Sequence, residues 1–236
     1  MAPLDPPASP GPPDPAGARP LPEELVLLCT DPGRGLLRVS SSAFRRVIAG
    51  AVLAELLLTG GITVEGRRIT GFQPLGAHDE IGAAVLARLE RTRKGRRPGL
   101  EAAVRRVPRD AVRHYRDRLV AQGAMTVERR RKLLVPYRVL LPVRSEAGQE
   151  IADRVAATLA RTAAEEGAGT TGAGADERDR LLAGLLWAGR MDRRIYPGRQ
   201  HAALRDTVRR TARDLPVAQA VRRVVTADRT EASGGG

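Results

Sequence analysis

The chain has 236 residues, of which 42% are hydrophobic, enough for one ordinary domain with a sizeable core or for two small domains. Lysine and arginine total 40 against 27 aspartate and glutamate, and the net charge of +13 indicates a polyanionic partner such as nucleic acid, an anionic membrane surface or a phosphorylated ligand. The single cysteine, Cys29, excludes an internal disulfide and a cysteine-based zinc site, and it fits a reducing cytosol. The longest apolar run, residues 47–58, is too short for a membrane span, which needs about 20 residues.

Composition divides the chain into a tail, a folded domain and a short C-terminal end. Residues 1–20 are rich in proline, and such a segment buries too little apolar surface to offset the entropy lost when it orders. We therefore predict a disordered tail over residues 1–20, a single domain over residues 21–228 and a frayed end over residues 229–236.

Hydrophobic periodicity predicts helices along most of the domain. The first begins at Pro22, since proline suits the first helical turn and Glu23 and Glu24 suit the positive end of the helix dipole. A long helix from about Ala43 to Leu58 has apolar residues around most of its circumference, which predicts a central buried helix. A late helix over residues 177–190 carries Trp187, which we expect to be deeply buried. Further helices are predicted over residues 79–91, 100–106, 108–122, 148–165, 200–213 and 216–226.

Two segments rich in β-branched residues predict small hairpins. One hairpin covers residues 62–70, and in the other residues 125–127 pair with residues 133–143. The second hairpin has at its predicted turn a basic cluster, Arg129, Arg130, Arg131 and Lys132. The predicted fold class is therefore mainly α, a compact multi-helix domain around central buried helices with two small β-hairpins.

No set of residues in the sequence combines a nucleophile, a base and an orienting group, so we predict a protein that is not an enzyme and uses no cofactor or metal. Residues 167–172 match the spelling Gly-x-Gly-x-x-Gly, but the preceding segment has helical character, which favours a flexible linker over a phosphate-binding loop. Glu55 inside the apolar helix could act as an acid, but such a residue more commonly pairs with an arginine or caps a backbone group. Cys29 is interpreted as a small core residue.

The basic residues fall into clusters that indicate a membrane surface. Arg109, Arg113 and Arg116 are spaced at i, i+4 and i+7, so they share one face of the predicted helix, beside its apolar stripe. The basic cluster that follows this helix precedes the apolar residues Leu133 and Leu134. An anionic bilayer attracts each charge near its surface by about 1 kcal/mol, and apolar residues can then enter the interface.

Two other functions stay open on the residues alone. A helix followed by a basic hairpin is also typical of a winged-helix DNA-binding regulator, although Asp110 and Asp117 on the helix that would read the bases disfavour this alternative. A protein–protein adaptor with a charged partner is the third reading of the composition, and any single arginine is more often simply exposed to solvent.

Five segments occur in an order and spacing that resemble the Golgi phosphoprotein 3 family. They are Leu-Pro-Glu-Glu-Leu-Val-Leu-Leu at 21–28, Asp-Pro-Gly-Arg-Gly at 31–35, Gly-Ala-Val-Leu-Ala-Glu-Leu-Leu-Leu at 50–58, Leu-Val-Ala-Gln-Gly-Ala-Met-Thr at 119–126 and Arg-Leu-Leu-Ala-Gly-Leu-Leu-Trp-Ala-Gly at 180–189. Each segment is loosely specified, so their order carries the resemblance, which runs from about Leu21 to Val225.

The resemblance implies a largely helical peripheral membrane protein that binds phosphatidylinositol 4-phosphate and inserts a hairpin into the bilayer. Eukaryotic members act as adaptors that retain glycosyltransferases in the Golgi, and bacterial relatives exist. We expect a bacterial member that is cytoplasmic and peripheral on the inner face of the plasma membrane. The expected partner is an anionic phospholipid surface. The resemblance also leaves room for a membrane-protein client and for a homo-oligomer formed through the hairpin, with nucleic acid as the weaker choice.

The lipid pocket of the family is partly retained in this sequence. Its tryptophan corresponds to Ser40, and one of its arginines corresponds to Ala49. Arg45 and Arg46 lie one helical turn before Ala49 on the same side of the helix, and we expect them to replace the missing arginine.

A later pair of pocket arginines falls near the start of the helix predicted over residues 108–122. The first arginine corresponds to Arg109, and the second corresponds to Val112, with Arg113 adjacent. We therefore predict a lipid-headgroup site that consists of Arg45, Arg46, Arg109 and Arg113. The predicted membrane-contact hairpin comprises Arg129, Arg130, Arg131, Lys132, Leu133 and Leu134.

Overall fold

The structure, a computed structural model, describes residues 19–35, 41–73, 80–91, 97–132, 135–165 and 175–234. Within these ranges the chain forms ten α-helices and two hairpins, which confirms the predicted mainly α fold class. The predicted disordered tail lies outside the described residues except for Arg19 and Pro20. The helices are α1 (Leu21–Cys29), α2 (Ser41–Leu58), α3 (Glu80–Arg91), α4 (Leu100–Arg106), α5 (Ala111–Ala121), α6 (Ala147–Glu165), α7 (Ala175–Ala188), α8 (Asp192–Ile195), α9 (Ala202–Arg213) and α10 (Pro216–Ser233), with a 3-10 helix at Arg199–His201.

Four strands form two separate antiparallel hairpins. Strands β1 (Ile62–Glu65) and β2 (Arg68–Phe72) form the first, and Gly66 in its turn has a φ of 58°, a left-handed conformation that glycine adopts without strain. Strands β3 (Met125–Lys132) and β4 (Val135–Pro142) form the second.

Helix α2 lies at the centre of the molecule, as its apolar circumference predicted. It packs against α1, α3, α4, α5, α7 and α10. Val47, Ile48, Val52 and Leu53 are fully buried in the core. Because complete burial of such a side chain contributes about 1.5–3 kcal/mol, the contacts of α2 hold the other helices in one arrangement.

Gly50 of α2 lies close against side chains of α7 and α10. A Cβ atom at this position would overlap Cγ2 of Val221 and come within 2.8 Å of Cδ2 of Leu185. We expect Gly50→Ala to lower the free energy of unfolding by about 1–2 kcal/mol, because overpacking outweighs the gain of about 1 kcal/mol in helix propensity. Urea unfolding measures this change.

A second substitution tests whether steric overlap is the cause. Val221→Ala removes the overlapping methyl groups but leaves a cavity, so it should be destabilising by itself. If the two side chains compete for the same space, Gly50→Ala combined with Val221→Ala should cost less than the sum of the two single changes. Additive effects would contradict the steric explanation.

The acidic residues at the start of α1 were predicted to interact with the helix dipole, and in the structure one of them also forms an ion pair with another helix. The buried Glu24 forms an ion pair with Arg154 of α6, with 2.9 Å between Oε2 and Nη2. Nε of Arg154 also lies 2.9 Å from Oδ1 of the buried Asp179. One guanidinium therefore joins α1, α6 and α7, and it compensates two carboxylates that would be strongly destabilising if they were buried alone.

The two largest differences from the predicted helix boundaries are at the start of α5 and at the end of α10. Helix α5 begins at Ala111 rather than residue 108, because the Ala111 N–H bonds to the Pro108 carbonyl in a turn. Helix α10 continues to Ser233, beyond its predicted end at residue 226 and into the segment predicted to fray. The Gly234 N–H donates to the Thr230 carbonyl at 3.0 Å and closes the last turn.

Trp187 is only partly buried, which corrects the expectation of a deeply buried residue. The guanidinium of Arg222 from α10 lies over its ring, with 4.7 Å between Cζ and the ring centroid. The stacked guanidinium covers one face of the indole ring, so the C-terminal end of α7 lies at the edge of the core, close to solvent.

Candidate anion-binding site

Helix α5 is held in place by its apolar stripe. Tyr115 and Leu119 are fully buried, and the helix packs against α1 and α2. Residues three apart lie on one side of a helix, so Arg113 and Arg116 share a neighbouring side of α5, next to the core.

A cavity of about 310 Å³ lies between α5, the start of α2 and strand β4. We call it the arginine pocket. Three of the four predicted headgroup residues, Arg45, Arg109 and Arg113, line it. The other lining residues are Phe44, Val112, Arg116, Asp117 and Leu140. The fold therefore brings arginines from two distant segments to one cavity.

Positive charge in the arginine pocket is poorly balanced. Arg113 lies 3.8 Å from Asp110, and both side chains are mostly exposed, so this ion pair is weak. In the described part of the chain, the side chains of Arg45 and Arg109 make no hydrogen bond or ion pair. Asp117 is the one carboxylate among the described lining residues, against four arginines. The pocket thus presents an excess of guanidinium groups to solvent.

Arg116 is the pocket residue that the sequence prediction omitted. Its Nε is buried and has no hydrogen-bond partner among the described residues. Burial lowers the pKa of the Arg116 guanidinium, because the charged form loses hydration without gaining a counter-charge. The sequence did carry a signal for this residue, since Arg116 follows Arg109 at i+7.

Arg46, also predicted to bind the headgroup, does not line the arginine pocket. Its Nε lies 2.7 Å from Oδ2 of Asp228 on α10, and Nη1 of Arg105 lies 2.9 Å from Oδ1 of the same carboxylate. Although partial burial opposes the shift, hydrogen bonds and charge from the two arginines lower the pKa of Asp228. Arg46 therefore joins α2 to α10 and has a structural partner.

The basic cluster lies in strand β3, so its predicted position at the turn is wrong. Its cross-strand partners are Arg138 for Arg129, Tyr137 for Arg130, Pro136 for Arg131 and Val135 for Lys132. Leu133 and Leu134 lie outside the described residues, and the side chain of Lys132 is not described. The first strand of this hairpin was predicted over residues 125–127 only. In the structure, eight consecutive positions of β3 are paired with eight positions of β4.

Alternation along the strands separates the arginines of the hairpin into two groups. Arg130 points to the face where it donates to the Gly33 carbonyl at 2.9 Å and pairs with Glu128 at 3.1 Å. Arg129, Arg131 and Arg138 share the opposite face, are exposed, and make no hydrogen bond or ion pair within the described residues. Arg130 thus attaches the hairpin to the loop after α1, while the other three arginines face outward.

The outward face of the hairpin continues into the arginine pocket. Leu140, which lines the pocket, is on the same face as Arg129, Arg131 and Arg138 and is paired with Val127, whose surface is 43% exposed. We call the combined surface the basic strip, and it consists of Arg45, Arg109, Arg113, Arg116, Arg129, Arg131 and Arg138. Arg129 and Arg138 are directly opposite each other, an arrangement of like charges that is destabilising unless an anion compensates it.

The remaining candidates from the sequence have structural roles or fall outside the described residues. Glu55 accepts from Nη2 of Arg178 at 2.8 Å and from the Leu21 N–H at 2.7 Å, which confirms that it pairs with an arginine and caps a backbone group. Cys29 is fully buried in the core, as predicted. The glycine-rich residues 167–172 lie outside the described residues.

The described ranges contain neither a metal-binding cluster nor a membrane-spanning helix. No cluster of three or more His, Cys, Asp or Glu in those ranges is arranged to hold a metal ion. No helix among them is both long enough and apolar enough to cross a bilayer.

Comparison with known proteins gives a family match over nearly the whole domain. The model of the Golgi phosphoprotein 3 (GPP34) family matches residues 21–227. No curated protein matches the chain. The matched range runs from the start of α1 into α10, so it contains every residue of the basic strip.

Proposed function

Because the chain belongs to the Golgi phosphoprotein 3 family, we propose that it is a peripheral protein that binds anionic phospholipid headgroups through the basic strip. The observation that carries this proposal is the convergence of arginines from α2, from α5 with its preceding turn, and from the hairpin on one continuous surface. In the same proposal the protein is an adaptor without enzymatic activity. It attaches to the cytoplasmic face of a membrane, where it would hold a membrane-protein client.

The arginine pocket suits a phosphate group. Guanidinium groups form paired, charge-assisted hydrogen bonds with phosphate oxygens, and Arg116 offers a buried N–H that has no partner in the described structure. The family is known in general for phosphatidylinositol 4-phosphate binding. A phosphorylated inositol headgroup is therefore our first choice of ligand for this pocket.

The hairpin would supply attraction that does not depend on the identity of the headgroup. Arg129, Arg131 and Arg138 are exposed on one face, and each charge near an anionic surface contributes about 1 kcal/mol. The exposed Val127 lies on the same face and could enter the interface. Leu133 and Leu134 are included in the proposed contact on the basis of sequence alone.

Vesicle co-sedimentation tests the proposal. The protein should pellet with vesicles that contain phosphatidylserine or phosphatidylinositol 4-phosphate, and stay in the supernatant with phosphatidylcholine alone. The double change Arg129→Gln and Arg131→Gln should weaken binding to both anionic vesicles alike. Arg109→Gln with Arg113→Gln should weaken binding to phosphatidylinositol 4-phosphate more than binding to phosphatidylserine.

A matched control removes the same amount of charge elsewhere. Arg210 and Arg213 are exposed on α9, which packs against α6, α7 and α10. Arg210→Gln with Arg213→Gln should leave vesicle binding unchanged if the basic strip makes the contact. Equal loss in the control and in the strip variants, or no pelleting with any vesicle, would contradict the proposal.

A gel shift with duplex DNA tests the alternative function, a DNA-binding regulator. Purely electrostatic binding to DNA weakens steeply as salt rises to about 0.15–0.2 M. A site preference in a gel shift that survives this salt would instead favour the DNA-binding alternative.

A further inference from the structure

A second cavity, of about 460 Å³, lies where α7 ends and shares no residue with the basic strip. It is lined by Trp187, Arg190, Asp192, Arg193, Arg209 and Arg222, and we call it the Trp187 cavity. These residues come from the end of α7 and the turn after it, and from α8, α9 and α10. Four separate elements of the fold therefore direct basic residues to one place.

The positive charges in the Trp187 cavity are only partly balanced by the protein, because Asp192 is the one carboxylate among its described lining residues. Within the described part of the chain, no carboxylate lies within ion-pair distance of Arg190, Arg193 or Arg222, and Arg209 lies 3.6 Å from the exposed Asp206. Burial lowers the pKa of Arg222, and the positive charges of Arg190 and Arg229 act in the same direction, while the smaller effect of Asp192 opposes them. An anion in the cavity would relieve this repulsion.

Arg190 adopts a backbone conformation that arginine rarely takes. Its φ is 58°, and it follows α7 in a C-terminal motif in which the Arg190 N–H bonds to the Trp187 carbonyl and the Met191 N–H bonds to the Leu186 carbonyl. Glycine is the usual residue at this position, because a side chain is strained there. A strained residue that lines a charged cavity points to a role for its side chain in function.

Arg222 is oriented by two contacts in the same cavity. Its guanidinium stacks 4.7 Å from the centroid of the Trp187 ring, and its Nη1 donates to the Trp187 carbonyl at 3.2 Å. Stacking fixes the plane of a guanidinium and leaves its remaining N–H groups free to bind an anion in that plane.

We infer that the Trp187 cavity binds a ligand with clustered phosphate groups, carried either by a soluble molecule or by a lipid. Four arginines against one lining carboxylate favour a ligand with several negative charges, and guanidinium geometry matches phosphate oxygens in pairs. The volume of the cavity, larger than that of the arginine pocket, accommodates more than one phosphate.

Intrinsic fluorescence tests this inference, because Trp187 is the chain's only tryptophan. Titration with pyrophosphate should give a saturable change in Trp187 emission that sodium chloride at equal ionic strength does not give. Arg193→Gln with Arg209→Gln should weaken pyrophosphate binding by about tenfold or more. Arg210→Gln with Arg213→Gln removes the same charge from exposed positions of α9 outside the cavity and should leave the titration unchanged. An identical response to chloride, or equal weakening by both double variants, would overturn the inference.

Competition distinguishes the two sources of phosphate. Vesicles that contain cardiolipin, which carries two phosphates, should displace pyrophosphate if the natural ligand is a lipid. Failure of the vesicles to displace it would assign the cavity to a soluble phosphate compound.

The strained backbone of Arg190 provides a second measurement. Arg190→Gly should raise Tm by about 2–4 °C, since glycine adopts this conformation without strain. The same change should weaken pyrophosphate binding, since one guanidinium is lost. A residue with only a structural role would not give opposite effects on stability and binding, so unchanged affinity would overturn the assignment of Arg190 to the site.

Discussion

Replacing Arg154 with methionine should lower the free energy of unfolding at pH 7 by about 2–4 kcal/mol, because it leaves two buried carboxylates without their cation. Glu24 and Asp179 each have 4% of their side-chain surface exposed, and both contact Arg154 at 2.9 Å. The loss should be smaller than for a fully buried pair, since 44% of the Arg154 side chain is exposed. Urea unfolding at pH 7 gives the value.

The same variant should show a characteristic dependence on pH. Burial raises the pKa of Glu24 in the folded protein, although the hydrogen bond and charge of Arg154 oppose this shift. Without Arg154 the folded pKa should rise further above the unfolded value, so the native state holds a proton that the unfolded state has lost. Stability is then lost as pH rises through the folded pKa. The difference in the free energy of unfolding between the variant and the unsubstituted protein should therefore become smaller as pH falls from 7 toward about 5.

Arg144 provides the matched control, because it also contacts two carboxylates but does so at the surface. Its partners are Glu146 and Glu150, and all three side chains are more than half exposed. Arg144→Met should therefore change stability little and should not produce a deficit that narrows at low pH. Equal losses for the Arg154 and Arg144 variants would show that burial of the carboxylates is not the cause.

Replacing Arg116 with methionine should weaken binding to phosphatidylinositol 4-phosphate vesicles by about tenfold while leaving the free energy of unfolding unchanged or higher. Without ligand, the buried Nε of Arg116 has no partner among the described residues, so its desolvation is not compensated. Methionine keeps the apolar contacts of the side chain and removes the charge. Co-sedimentation and urea unfolding measure the two effects.

Arg118, two residues further along α5, should show the reverse pattern. It is ion-paired with Glu23, whose side chain is only 1% exposed. Arg118→Met should therefore lower the free energy of unfolding and leave vesicle binding of the folded protein unchanged. If Arg116→Met instead lowers stability as Arg118→Met does, or leaves vesicle binding intact, Arg116 does not belong to the headgroup site.

Local pattern predicted much of the fold because helices and hairpins depend on residues close in sequence. The apolar circumference of α2 predicted its central position, and the apolar stripe predicted beside the arginines of α5 is the side of that helix that is buried, with Tyr115 and Leu119. The hairpin around the basic cluster was also predicted, but its turn was misplaced. Strand register depends on cross-strand pairs, so four adjacent charges gave no sign that they lie within β3.

Three of the four arginines that the sequence predicted for one site lie together in the structure. Spacing and family resemblance together selected Arg45, Arg109 and Arg113, which line one cavity. They also selected Arg46, but consecutive helical residues point about 100° apart, so Arg45 and Arg46 face different neighbours. Arg116 was omitted because the pocket arginines of the family correspond to Arg109 and Val112, although Arg116 shares the predicted helix face of Arg113.

The sequence by itself determined the helical class of this protein, its excess of positive charge and the segments that carry the arginines. Only the tertiary structure decided which arginines are neutralised and which are not. Arg46 pairs with Asp228, 182 positions later, and Arg154 pairs with Glu24, 130 positions earlier. A carboxylate can compensate a guanidinium only within a few ångströms, and distances of that kind between remote segments are set by helix packing rather than by local sequence pattern.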